Sequence, residues 1–110
     1  MSATVPAVVD RYFEADARRD IDAIVGLFTG DAVVVDEGET RRGTAEIRAW
    51  QEGPASRYRY TTEVLGAEVL DAGDVLVTGR LTGDFPGGSA ELTWRFTVAG
   101  DRVSRLRITP

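Results

Sequence analysis

The spacing of apolar residues changes its period at Pro54. Before that point they recur every third or fourth residue, and after it every second residue. A helix and a strand each bury one face, at periods of 3.6 and 2, so the switch predicts helices first and strands second. This is the α+β class. Val8, Val9, Tyr12, Phe13 and Asp16 follow the helical spacing from Val5 onward, and Arg18-Arg19-Asp20 interrupts it. Asp20 is placed to cap a second helix with Ile21, Ile24, Val25, Leu27 and Phe28 on its buried stripe. Gly30 is the expected stop, in the left-handed position that ends many helices. Ala32–Asp36 is β-branched and reads as a short strand ended by Gly38. A third helix then carries Ile47 and Trp50 inward and stops at Gly53-Pro54.

Four strands are expected after Pro54: Tyr58–Leu70, Val75–Thr82, Ser89–Val98 and Arg102–Thr109. Within the third, Leu92, Trp94, Phe96 and Val98 share one face, and Glu91, Thr93, Arg95 and Thr97 the other. Gly66 and Gly79 lie inside strands, where glycine marks a bend or bulge. Three N-terminal helices therefore cover one face of a curved antiparallel sheet, giving a cone whose hollow is either filled or left as a pocket. Arg80 and Arg95, with Glu68 and Glu91, fall on the outward face.

The chain has 110 residues and 43% hydrophobic content, which suits a single folded domain over 1–110. It contains no His, Cys, Lys or Asn, and all 13 basic residues are Arg. A Cys or His nucleophile, a Ser–His–Asp triad, a Lys Schiff base and a zinc site of His or Cys are thereby excluded. No metal or organic cofactor is expected, and Gly87-Gly88 lies in a hairpin rather than a phosphate-binding loop. With a net charge of −5 and no basic stripe, nucleic-acid binding is disfavoured. The apolar stretches are too short to span a membrane, and Met1-Ser2-Ala3-Thr4 does not resemble a signal peptide, so the expected location is the cytoplasm.

Three segments carry a likeness to a known family: Asp20–Phe28, Gly30–Asp36 and Arg42–Trp50. In order and local sequence they resemble SnoaL-like and ketosteroid-isomerase-like members of the nuclear transport factor two-like superfamily. The resemblance runs over nearly the whole chain and implies a cystatin-like α+β barrel. That fold hosts enzymes, binding domains and subunits alike, so it does not fix an activity.

The resemblance implies roles for three residues. Asp36 matches the strand aspartate that moves the proton in ketosteroid isomerases, and Tyr12 the helix tyrosine that donates to the substrate oxygen. Trp94 stands where those enzymes place a protonated aspartic acid as second donor. Phe28 and Gln51 replace two assisting tyrosines, which is a departure. Each residue also has a plainer reading. Asp36 starts a polar turn, Tyr12 sits on a buried helix stripe, and Trp94 lies between apolar neighbours. Asp16 and Glu14 read as solvated helix-face charges. Phe28, Trp50, Tyr58, Tyr60, Phe96, Leu106 and Ile108 are candidates to line an apolar substrate pocket, or to fill it as core.

The leading expectation is a ketosteroid-isomerase-like enzyme, with Asp36 shuttling a proton beside the carbonyl of a small apolar ketone and Tyr12 and Trp94 forming an oxyanion hole. A SnoaL-type acid–base hydrolase or cyclase, acting on an epoxide or a polyketide, ranks second because only Asp36 reads as an inward carboxylate. A third reading is a non-catalytic domain that binds a small apolar ligand or dimerises. By analogy with the family, a homodimer through the outward sheet face is expected.

Overall fold

The computed structural model describes residues 5–110. Among them, helices α1 (Ala7–Ala17), α2 (Ile21–Gly26) and α3 (Gly43–Glu52) are joined by strands β1 (Phe28–Asp36) and β2 (Glu39–Arg42). A short 3₁₀ turn (Pro54–Ser56) leads into β3 (Tyr60–Val69), β4 (Val75–Gly83), β5 (Ser89–Ala99) and β6 (Arg102–Thr109). The strands form one curved, unclosed sheet in the order β2-β1-β6-β5-β4-β3. The expected α+β architecture with helices over one sheet face is what the chain adopts. No helix among the described residues is long and apolar enough to cross a membrane.

Three local features differ from the sequence reading. Phe28 opens β1 rather than closing α2, which ends at Gly26 with Leu27 as its cap. Gly30 is therefore a strand residue, not a helix stop. The Leu27 carbonyl accepts the Val103 N–H at 2.7 Å, so pairing with the last strand takes over where the helix ends. Second, β1 pairs with β6 in parallel, so the sheet is not wholly antiparallel. Third, β2 is an additional strand, paired with β1 from Asp36↔Glu39 to Val33↔Arg42. Glu37 (φ 53°) and Gly38 (φ 77°) form the two-residue turn between them. Positive φ at both positions gives a turn whose twist matches the flanking strands. The Asp20 cap forms as expected, its carboxylate accepting the Ala23 N–H at 3.1 Å.

Three irregularities bend the sheet. The β1–β6 register slips between Phe28 and Val33, the β3–β4 register between Val64 and Gly66, and the β5–β6 register between Thr97 and Val98. Such bulges increase local twist and curl the sheet around the helices. Gly79 has a different purpose: a Cβ there would lie 2.9 Å from the Glu63 carbonyl oxygen and 2.9 Å from Trp94 Cζ3. Its missing side chain makes room for the indole. The core lies between helices and sheet, where Phe28, Ile47, Trp50, Phe96 and Leu106 are among the fully buried side chains.

Candidate functional site

At one end of the core the helices and sheet leave a cavity of about 310 Å³. Tyr12 and Asp16 enter it from α1, Asp36 and Glu37 from the end of β1, and Trp50 and Gln51 from α3. The sheet contributes Tyr60, Leu81, Ala90, Leu92, Trp94 and Ile108. The segments after α3 and β4 add Pro54, Ala55, Tyr58, Phe85 and Pro86. Tyr58 and Pro86 are exposed and mark where the cavity meets solvent.

Asp36 is half-buried, and its Oδ2 accepts the Trp50 indole N–H at 3.0 Å. Burial raises its pKa above the usual carboxylate range; the Trp50 hydrogen bond opposes that shift and the neighbouring Glu37 adds to it. Trp50 is thus both a wall and a donor.

Asp16 departs most from the sequence reading. It is a buried residue, only 8% exposed, and not a solvated charge. It lies one helical turn beyond Tyr12 on the same face, so α1 carries it into the cavity. Its Oδ1 accepts from Arg19 Nη1 at 2.7 Å, and the Tyr60 hydroxyl donates to Oδ1 and Oδ2 at 3.1 and 3.3 Å. Desolvation raises its pKa, opposed by the Arg19 charge and by the hydrogen bonds from Tyr60 and Arg19. Glu14, by contrast, is exposed as expected.

Arg19 holds this arrangement from outside. Its backbone is left-handed at φ 52°, which is unfavourable for a residue with a Cβ. That conformation turns the chain after α1, and the guanidinium reaches both Asp16 and α3. Nη2 donates to the Gln51 carbonyl and Oε1 at 3.3 and 3.2 Å, and Ser56 Oγ also donates to the Gln51 carbonyl.

Tyr12 is buried among Phe13, Phe28 and Phe96, all edge-to-face with centroids 5.3, 6.3 and 5.4 Å away. Burial raises its pKa well above the ordinary tyrosine value, with Asp16 the next cause. Tyr60 is raised the same way, so both hydroxyls keep their protons at neutral pH. Trp94 packs edge-on against Phe13 at 5.2 Å. Neither the Tyr12 hydroxyl nor the Trp94 indole N–H has a hydrogen-bond partner among the described residues.

Asp36, Tyr12 and Trp94 therefore line one cavity together with Trp50, Tyr58, Tyr60 and Ile108. Phe28, Phe96 and Leu106, expected as pocket residues, do not reach it. They are 2%, 0% and 0% exposed, filling the space where the helices close over the sheet. Phe28 and Phe96 instead brace Tyr12. The sequence reading missed the environment of Asp16, the donor role of Trp50 and the bridge made by Arg19. The position of Asp16 on the Val8–Tyr12 stripe was the available signal.

A family model for the SnoaL-like domain matches residues 9–106. A solved structure of a proposed polyketide cyclase from Sinorhizobium meliloti is 37% identical, with a TM-score of 0.89 over 96% of this chain and 95% of that one. A protein of ketosteroid-isomerase-like fold from Catenulispora acidiphila, solved with trimethylamine, is 18% identical, with a TM-score of 0.84 over 97% and 87% of the two chains. The epoxide hydrolase/cyclase-like enzyme SalBIII, which takes part in pyran ring formation in salinomycin, is 22% identical, with a TM-score of 0.80 over 93% and 86%. At these identities the latter two show the fold alone. No curated protein matches the chain. The family match covers almost all of α1 through β6, in agreement with the resemblance carried by Asp20–Phe28, Gly30–Asp36 and Arg42–Trp50, and the chain belongs to the SnoaL-like domain family.

Proposed function

We propose that this domain is an acid–base enzyme that closes a ring or opens an epoxide in a small, largely apolar substrate. The observation that carries this reading is that Asp16 and Asp36 line one cavity with unlike partners, a guanidinium for the first and a neutral indole for the second. Burial raises the pKa of both, and the direct ion pair to Arg19 is what distinguishes the two groups. Arg19 favours the ionised form of Asp16, which acts as the base. Asp36, hydrogen-bonded to the neutral indole and influenced by Arg41 only through space, acts as the acid. The Asp36 carboxyl gives its proton to the epoxide oxygen as the ring's C–O bond breaks. The attacking hydroxyl, from the substrate or from water, forms the new C–O bond and loses its proton to Asp16. One proton has then moved from Asp36 to Asp16, and exchange with solvent restores the resting state. The 37% identity to a proposed polyketide cyclase supports the same class of chemistry.

A second reading rests on the free Tyr12 hydroxyl and Trp94 N–H in the cavity with Asp36. In it Asp36 alone shuttles a proton beside a carbonyl while the two donors hold the enolate oxygen. The Asp16→Asn variant separates the readings. Assayed on a hydroxy-epoxide that closes to a cyclic ether and on a β,γ-unsaturated ketone, it is expected to lose cyclisation. Isomerisation that survives the substitution supports the second reading instead.

A further inference from the structure

We propose that the cavity takes an oxygen-bearing organic cation, an alkylammonium group next to a hydroxyl, ether or carbonyl oxygen. The inference uses Asp36 in its ionised form, whereas the proton-transfer reading uses its protonated form, so binding and turnover draw on different states of the same group. Three acidic side chains line the cavity, Asp16, Asp36 and Glu37, and among the described residues no arginine does. Arg19 answers Asp16 from behind. Asp36 and Glu37 form no ion pair among the described residues. The lining thus carries only acidic charge; Arg19 and Arg41 act on Asp16 and Asp36 from outside it, and Glu37 sits at the exposed rim.

The form of the cation follows from the walls. No group of three carboxylates is placed to hold a metal ion among the described residues. The charges are instead spread around aromatic side chains, Tyr12, Trp50, Tyr58, Tyr60, Phe85 and Trp94. Aromatic faces attract a bulky, weakly hydrated ammonium, and the attraction grows when water is excluded. A cavity of about 310 Å³ holds such a group with several further heavy atoms. The oxygen is called for by two other groups. Tyr12 and Trp94 are 3% and 4% exposed, and their O–H and N–H are donors without an acceptor among the described residues. Both donor atoms stay open to the cavity, where a ligand oxygen can accept from either in place of water.

The test compares three molecules of nearly equal shape on the intact protein at neutral pH: choline, its neutral carbon isostere 3,3-dimethylbutan-1-ol, and the anion 3,3-dimethylbutanoate. Binding is followed by tryptophan fluorescence, since Trp50 and Trp94 both line the cavity, and by calorimetry. Choline is expected to bind about tenfold more tightly than the neutral isostere, within the range of a desolvated cation–aromatic contact. The anion is expected to bind least. In Asp36→Asn, checked for an intact melting transition, the preference for choline over the neutral isostere is expected to fall to about twofold. Equal affinities, a preference for the neutral or anionic compound, or no binding of choline overturns the inference. Because binding is read without turnover, a failure of this inference is distinguishable from a failure of the catalytic reading.

Discussion

The indole of Trp50 donates its N–H to Asp36 Oδ2 across 3.0 Å, tying the third helix to the end of the first strand. This bond favours the ionised carboxylate and so limits how far burial raises the Asp36 pKa. In Trp50→Phe a smaller aromatic ring remains and the donor is lost. The Asp36 pKa is expected to rise, so the alkaline limb of the pH–rate profile, where the acid loses its proton, moves upward. Losing the hydrogen bond is expected to cost about 1–3 kcal/mol of stability, measurable by urea unfolding.

Asp36 also links stability to pH. Burial raises its folded pKa above the unfolded value of about 3.9, so the folded chain binds the proton more tightly. The stability from that protonation is complete below about pH 3.9 and is lost as pH rises through the folded value. At neutral pH the ionised group therefore opposes folding. Asp36→Asn is expected to raise the melting temperature at pH 7 and to leave it unchanged at pH 3. A calorimetric scan at each pH checks both halves.

Arg19 combines an ion pair to Asp16 with a left-handed backbone. Removing its side chain raises the Asp16 pKa, since its charge lowers it, and the acidic limb of the pH–rate profile is expected to move upward in Arg19→Ala and Arg19→Gly alike. The two variants differ in backbone cost. Glycine adopts positive φ freely, so Arg19→Gly is expected to be about 1 kcal/mol more stable than Arg19→Ala in denaturant titrations.

Two strand glycines test the packing around Trp94. At Gly79 an added methyl meets the Glu63 carbonyl and the indole ring, whereas at Gly66 it meets nothing within 4 Å. Gly79→Ala is expected to lose about 1–3 kcal/mol, as overpacked sites do. Gly66→Ala is expected to change stability by no more than about 0.5 kcal/mol. Comparing their unfolding midpoints decides the matter.

The fold was largely legible because burial has a period. The spacing of Val8, Val9 and Tyr12 located α1, and the alternation of Leu92, Trp94 and Phe96 located β5. Boundaries set by long-range pairing were less visible. Phe28 fits the stripe of α2 by spacing, yet it starts β1 because β6, some 75 residues later, offers a parallel partner from Phe28↔Val103. The candidate site was legible only in part. Asp16 carries a charge, and its burial depends on Tyr60 and on the turn at Arg19, neither of which the local pattern of α1 reveals. Phe96 and Leu106 alternate like pocket residues, and only the placement of the helices decides that they are core.

The account centres on two carboxyl groups acting together across one cavity. Its most direct test is the rate at which a hydroxy-epoxide closes to a cyclic ether, measured as kcat/KM for the wild type, Asp16→Asn, Asp36→Asn and the double variant, each with an intact thermal transition. Each single substitution is expected to lower kcat/KM about 10²–10³-fold, and the double variant to fall little further, because acid and base serve the same step. A wild-type rate in either single variant contradicts the account.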